Sequence, residues 1–151
     1  MSGNSKNLKI LVIHGPNLNL LGEREPEIYG SLTLCELDKI IREHALKSGV
    51  DVRIFQSNHE GEIIDFIHEN RNWAKGIVIN PASLTHYSYS LRDALAAVNL
   101  PVVEVHLSDI KKREEFRRIS VIEPVVVKQI SGFGWRSYIK GMELLIDVLK
   151  S

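Results

Sequence analysis

Short apolar runs rich in Val and Ile recur along the chain at residues 8–13, 52–56, 76–80, 101–106 and 125–130. Their length and β-branched content predict strands. Between them the hydrophobic spacing becomes helical. Leu91, Ala94, Leu95 and Val98 fall at i, i+3, i+4 and i+7, which puts them on one face. Residues 33–48 carry Leu37, Ile40, Ile41 and Ala45 on one side, open with Thr33 and Glu36 at capping-box spacing, and stop at Gly49. Ser57 and Glu60 repeat that spacing ahead of Ile63, Ile64 and Ile67, and Tyr138, Met142, Leu145 and Leu149 mark a last amphipathic helix. The alternation is β-α, five times over.

The third, fourth and fifth runs are almost continuously apolar, the pattern of parallel strands covered by helices on both faces. The predicted fold is therefore an α/β, doubly wound, five-stranded parallel sheet. Right-handed crossovers and the order 2-1-3-4-5 would open a crevice between strands 1 and 3, at their carboxyl ends. The chain reads as one domain over 8–151, preceded by a flexible tail at 1–7.

Composition narrows the possibilities. Nineteen Lys and Arg cancel nineteen Asp and Glu, so no net field draws the chain to nucleic acid or acidic lipid. The single cysteine, Cys35, excludes an internal disulfide framework and suits a reducing, cytoplasmic setting. Neither a secretory leader nor a membrane-spanning stretch is legible.

Polar residues gather at three strand ends: His14 to Asn19, Asn80 to His86, and Glu104 to Ser108. One such end is ordinary turn chemistry. Three on one sheet edge point to a binding site. The connection from strand 1 to the first long helix far exceeds the usual ~2–6 residues and carries Arg24 and Tyr29. Tyr29 reads either as a ring packed on the core or as a phenol at the crevice. Glu104 and His106 are two apart on a strand and share a face, as an acid/base pair or as a structural contact. Arg113 and Arg117, four apart, share a face if the segment is a short helix, either reaching an anion at the fourth strand end or lying solvated. Two other chemistries remain open: a zinc site from His14, His86 and His106, as in a zinc hydrolase, and a nucleotide-binding module at Gly132 and Gly134. His14 is otherwise read as shaping the turn after strand 1, and the glycines as allowing close helix–strand packing.

Longer motifs carry a resemblance. The segments His14-Gly-Pro-Asn-Leu-Asn-Leu-Leu-Gly-Glu-Arg-Glu-Pro, Ile28-Tyr-Gly, Gln56-Ser-Asn-His-Glu-Gly, Ile79-Asn-Pro-Ala-Ser-Leu-Thr-His, Leu91-Arg-Asp-Ala-Leu, Val103-Glu-Val-His-Leu-Ser and Arg113-Glu-Glu-Phe-Arg resemble the type II 3-dehydroquinate dehydratases over residues 8–149. The resemblance implies a flavodoxin-like sheet and a hydro-lyase that converts 3-dehydroquinate to 3-dehydroshikimate, in the shikimate pathway or in quinate breakdown. It also implies no metal or cofactor, and a homo-oligomer, a dodecamer built from trimers. By the same resemblance Tyr29 is the general base and His106 the general acid, with Glu104 orienting His106. Arg24 and Arg113 favour the phenolate, since a free phenol with a pKa of about 10 is a poor base near neutrality. Asn17 holds a water at the enolate oxygen. Asn80 and the backbone N–H groups of Leu107 and Ser108 meet the substrate carboxylate, His86 and Arg117 its hydroxyls, and Asp93 reaches the site of an adjoining subunit. Asp109, Tyr87 and Ile119 depart from the commoner family pattern, and Asp109 adds a carboxylate that could compete for Arg113.

Overall fold

Residues 6–151 are described by a computed structural model. Strands β1 (Leu8–His14), β2 (Val50–Gln56), β3 (Gly76–Asn80), β4 (Val102–His106) and β5 (Lys128–Ser131) form a parallel sheet in the order β2-β1-β3-β4-β5. Helices α1 (Pro26–Tyr29), α2 (Leu34–Ser48), α3 (Glu60–Asn70), α4 (Tyr89–Val98) and α5 (Arg136–Lys150) join and cover them. Alternation along each strand assigns the faces. Ile10, Val12, Val78, Val103 and Val105 pack under α2 and α5, against Leu37, Ile41, Tyr138, Met142 and Leu145. Leu11, Ile13, Ile77, Ile79 and Val102 pack under α3 and α4, against Ile63, Ile67, Leu91 and Leu95. Because β1 has β2 on one side and β3 on the other, the chain leaves its tip and that of β3 in opposite directions, and the crevice opens between them.

Helix α2 begins and ends as its sequence predicts. The Thr33 side chain accepts from the Glu36 N–H, the Glu36 carboxylate accepts from the Thr33 N–H, and Gly49 closes the helix at φ 67°. The similar spacing of Ser57 and Glu60 does not form a capping box. Helix α3 starts at Glu60 with His59 at its cap position. The Ser57 hydroxyl accepts from the His59 N–H and donates to Glu62, while the Glu60 carboxylate accepts from Ser88 at the start of α4. A contact between helices has taken the group that the local motif required.

The run 125–130 also divides. Glu123–Val125 is a 3-10 turn containing Pro124, and β5 begins only at Lys128. Proline cannot donate to a ladder, so the first valines of this run pack as a plug beside Leu11 and Ile13. Strand β5 is a half-buried edge, whereas β3 and β4 are buried throughout. The fourth β-α alternation is likewise absent: three short 3-10 turns, Ile110–Lys112, Glu115–Arg118 and Glu123–Val125, rather than an α-helix, connect β4 to β5. Residues 1–5 of the expected tail lie outside the described residues, and the Asn7 side chain donates to Asp51 at 3.1 Å. Among the described residues no helix is long and apolar enough to cross a membrane.

The β1 and β3 tips meet at Gly15, whose N–H donates to the Asn80 carbonyl at 2.8 Å. A β-carbon on Gly15 would lie 2.4 Å from the Pro81 carbonyl oxygen, a main-chain atom with no side chain to swing away. Gly15→Ala is therefore expected to destabilise the fold by about 2 kcal/mol or more, read as a shifted urea midpoint.

Candidate active site

The crevice between the β1 and β3 tips, with β4 beside them, is the cavity that the site residues share. The empty space between its walls, open mouth included, is about 510 Å³. Three strand ends build it. Asn17, Arg24 and Tyr29 come from the segment after β1, and Asn80 and His86 from β3 and the turn that follows. His106, Leu107, Ser108, Arg113 and Arg117 come from β4 and the 3-10 turns beyond it.

The long segment after β1 is structured rather than open loop. A 3-10 turn at Leu18–Leu20 and the single turn of α1 fold it back, so that Tyr29 packs its ring beside the core cluster of Ile10 and Val12 while its hydroxyl stays at the cavity. Both sequence readings of Tyr29 hold at once. Arg113 Nη1 donates to the Tyr29 hydroxyl at 3.2 Å and to Ser108 Oγ, also at 3.2 Å. The Arg24 guanidinium lies over the phenol ring, 4.9 Å from its centroid, and that of Arg113 is 5.6 Å from it. Burial disfavours charge on Arg113, but the Tyr29 oxygen and the carboxylates of Glu114 and Glu25 more than offset this and raise its pKa. Two positive groups thus face one phenol oxygen and its ring.

Opposite in character is the pair on β4. Glu104 is completely buried, and its Oε2 accepts from His106 Nε2 at 2.5 Å. Thr85 donates its hydroxyl to the same oxygen, and Ser120 Oγ lies 3.0 Å from both carboxylate oxygens. Burial alone would raise the Glu104 pKa; the hydrogen bond and charge of His106, with the Thr85 hydroxyl, outweigh it and hold the group below 4.5. An ionised carboxylate is acceptor-only, so His106 carries a hydrogen on Nε2, and Nδ1 is the nitrogen left to exchange a proton at the cavity.

His86 is fixed differently. Its Nδ1 is 2.7 Å from the Ile119 carbonyl, which can only accept, so Nδ1 carries the hydrogen and Nε2 is an acceptor when the ring is neutral. Burial lowers its pKa, and electrostatic repulsion from the His106 and Arg117 side adds to the effect, against the Ile119 carbonyl. The balance favours the neutral ring, in which Nε2 is an acceptor available for a hydroxyl.

Some expectations fail. Arg113 and Arg117 do not share one helix: Arg113 closes the turn Ile110–Lys112 and Arg117 belongs to the next, Glu115–Arg118, yet both line the cavity. Asp109 does not compete for Arg113; its carboxylate accepts from the Lys111 N–H, and it is Glu114 that lies 3.5 Å from Arg113. His14 is fully buried beneath the crevice, with Nδ1 on Tyr138 and Nε2 on Asp38, so it cannot join His86 and His106 at a zinc ion. Among the described residues no group of three His, Cys, Asp or Glu is placed to hold a metal. Gly134 donates its N–H to the Leu107 carbonyl, and a β-carbon on Gly132 would sit 3.2 Å from that of Asp109, so these glycines pack a loop against the β4 end. Asp93 is exposed on α4 and lies outside the cavity of its own subunit. Thr85 and Ser120, which hold Glu104, and Asp38 and Tyr138, which hold His14, give no local sign of these roles in the sequence.

A phenol with two guanidinium groups against it and an imidazole backed by a buried carboxylate thus line one cavity of a doubly wound α/β fold. Residues 8–146 match the family described as Dehydroquinase class II. A 3-dehydroquinate dehydratase of Halothermothrix orenii is 58% identical over 94% of this chain and 96% of its own length, and one of Dictyoglomus turgidum is 57% identical over 91% and 95%. The type II dehydroquinase structure from Butyrivibrio crossotus superposes with a TM-score of 0.89 at 51% identity, covering 96% of this chain and 99% of that one. The chain belongs to the class II dehydroquinase family.

The depressed Glu104 pKa has a consequence for stability. Its contribution is present above the unfolded value of 4.5 and is lost as pH falls through the folded value. The stability difference between the parent chain and Glu104→Gln is therefore expected to shrink as pH drops below 4.5, measured by denaturant titration across an acid pH series.

Proposed function

We propose that this cavity dehydrates 3-dehydroquinate to 3-dehydroshikimate in the shikimate pathway, with Tyr29 as base and His106 as acid. The observation that carries the assignment is the Arg113 Nη1 hydrogen bond to the Tyr29 oxygen at 3.2 Å, in the cavity that also receives His106. The guanidinium groups of Arg113 and Arg24 stabilise negative charge on that oxygen. Tyr29 takes the proton from C2 beside the ketone, and the electron pair of the broken C–H bond becomes an enolate. Asn17 stabilises the enolate oxygen through a water, charge that exists only along the reaction. Collapse of the enolate forms the C1–C2 double bond and expels the C1 hydroxyl on the opposite face, which leaves as water with the proton of His106. Glu104 stabilises the imidazolium before that transfer and orients the ring. Asn80 and the N–H groups of Leu107 and Ser108 bind the carboxylate, and Nε2 of neutral His86 accepts from a ring hydroxyl, with Arg117 alongside. No metal or organic cofactor enters this scheme.

We further infer a cytoplasmic dodecamer built from trimers, in which Asp93 reaches a neighbouring subunit's cavity. Its exposed place outside its own cavity accords with that. Sedimentation should then give a mass twelve times that of the 17.1 kDa chain; a monomer at working concentration would remove this inference. For the chemistry, Tyr29→Phe is expected to lower kcat by about 10²–10⁴-fold, followed by the enone absorbance of the product, while ligand binding persists. Full activity in that variant overturns the base assignment. Turnover should survive exhaustive chelation, and loss of activity there would favour a metal.

A further inference from the structure

The turn after β1 is held from both neighbouring strands, and β2 contributes side chains that the proposed reaction does not use. On the β3 side the Gly15 N–H donates to the Asn80 carbonyl. On the β2 side the ladder ends at the pair His14 and Gln56, and the Ser57 N–H adds a bond to the His14 carbonyl at 3.1 Å. This register carries Gln56 and Asn58 to the segment 15–19. Gln56 Nε2 donates to the Gly15 carbonyl and to Asn58 Oδ1, each at 3.2 Å, and lies 3.5 Å from Asn19 Oδ1. Asn58 Oδ1 in turn accepts from the Asn17 N–H at 2.8 Å.

Main-chain atoms settle which way both amides point. The Gly15 carbonyl can only accept, so the Gln56 atom facing it is nitrogen; the Asn17 N–H can only donate, so the Asn58 atom facing it is oxygen. The contact between the two side chains then runs from nitrogen to oxygen, as a hydrogen bond requires.

Asn17 is where the chain needs such a hold. It stands at φ 71° and ψ −4°, in the left-handed region, ahead of the 3-10 turn Leu18–Leu20. That conformation costs an ordinary side chain about 1–2 kcal/mol, and Asn is one of the few residues that visit it. An Asn before a helical turn commonly spends its side-chain oxygen on the N–H groups of the turn; Asn17 makes no such cap bond. Its backbone is held from outside instead, the N–H by Asn58 and the carbonyl by the Leu20 N–H at 3.0 Å. With both main-chain groups engaged, the side chain is left to the cavity that Asn17 lines.

We propose that Gln56 and Asn58 are positioning residues that hold Asn17 in its left-handed conformation, so that its amide meets the water at the enolate oxygen. The proposal rests on the reading of Asn17 given above. Asn58 takes the Asn17 N–H, and Gln56 ties Asn58 to Gly15, the residue packed against the Pro81 carbonyl. The β2 tip thereby acts on a crevice whose lining includes neither residue. Charge on the enolate oxygen exists only along the reaction, so loss of this hold appears in kcat rather than in KM.

Steady-state kinetics of single and paired variants test this. Asn58 is exposed, so its replacement removes no core packing. Asn58→Ala is expected to lower kcat by roughly 3–10-fold, the effect of one net hydrogen bond, with KM changed by less than about twofold. Asn58→Asp keeps an acceptor for the Asn17 N–H and should recover most of that loss. Gln56→Glu sets an acceptor against the Gly15 carbonyl and should lower kcat at least as much as Asn58→Ala. Asn17→Gly removes the side chain yet suits the left-handed backbone; it should lower kcat by about 10²-fold, and adding Asn58→Ala to it should change kcat no further. Unchanged kcat in Asn58→Ala or in Gln56→Glu, no recovery in Asn58→Asp, or a full Asn58→Ala effect in the Asn17→Gly background overturns the positioning role alone. Unchanged kcat in Asn17→Gly overturns the enolate role of Asn17 and the positioning role with it.

Discussion

Gly15 lies against the Pro81 carbonyl more closely than any side chain would permit, and that main-chain approach sets the spacing of the β1 and β3 tips. The hydrogen bond from its N–H to the Asn80 carbonyl continues the β1–β3 ladder one residue past His14. Beyond this point the two segments diverge. One carries Arg24 and Tyr29, and the other turns through Ala82 toward His86. The width of the crevice, and so the separation of the groups that line it, is fixed by two backbones in contact.

On this frame the sheet distributes its chemistry between two faces. His14, Asn80 and Tyr138 belong to the side under α2 and α5, and Glu104 and His106 point with the residues under α3 and α4. The parity of the strands separates the polar clusters, and only at the sheet edge do they come together. Each cluster is completed by hydroxyls: Thr85 and Ser120 around Glu104, Tyr138 beside His14. A carboxylate with no exposure, such as Glu104, is tolerated because hydrogen bonds reach both of its oxygens.

The sequence made much of this legible, because the signals were local or periodic. Alternation and helical spacing located the sheet, its order and three converging tips, and the family motifs placed Tyr29, His106 and the arginines. Failures came where a longer-range partner won. Glu60 left its expected cap for Ser88, and the 125–130 run gave up half its length to packing around Pro124. The partners of Glu104 and His14 come from segments distant in sequence, and no spacing rule announces a contact between β1 and α5. Asp109 was legible as a charge, but only the fold reveals that Glu114 is nearer to Arg113.

His86 takes its orientation from the carbonyl of Ile119, at a position whose side chain is 59% exposed. A backbone acceptor is supplied by whichever residue occupies that place. The rim can therefore change its surface through mutation at 119 while the imidazole beneath keeps its tautomer, leaving the exterior free to evolve independently of the ring it supports.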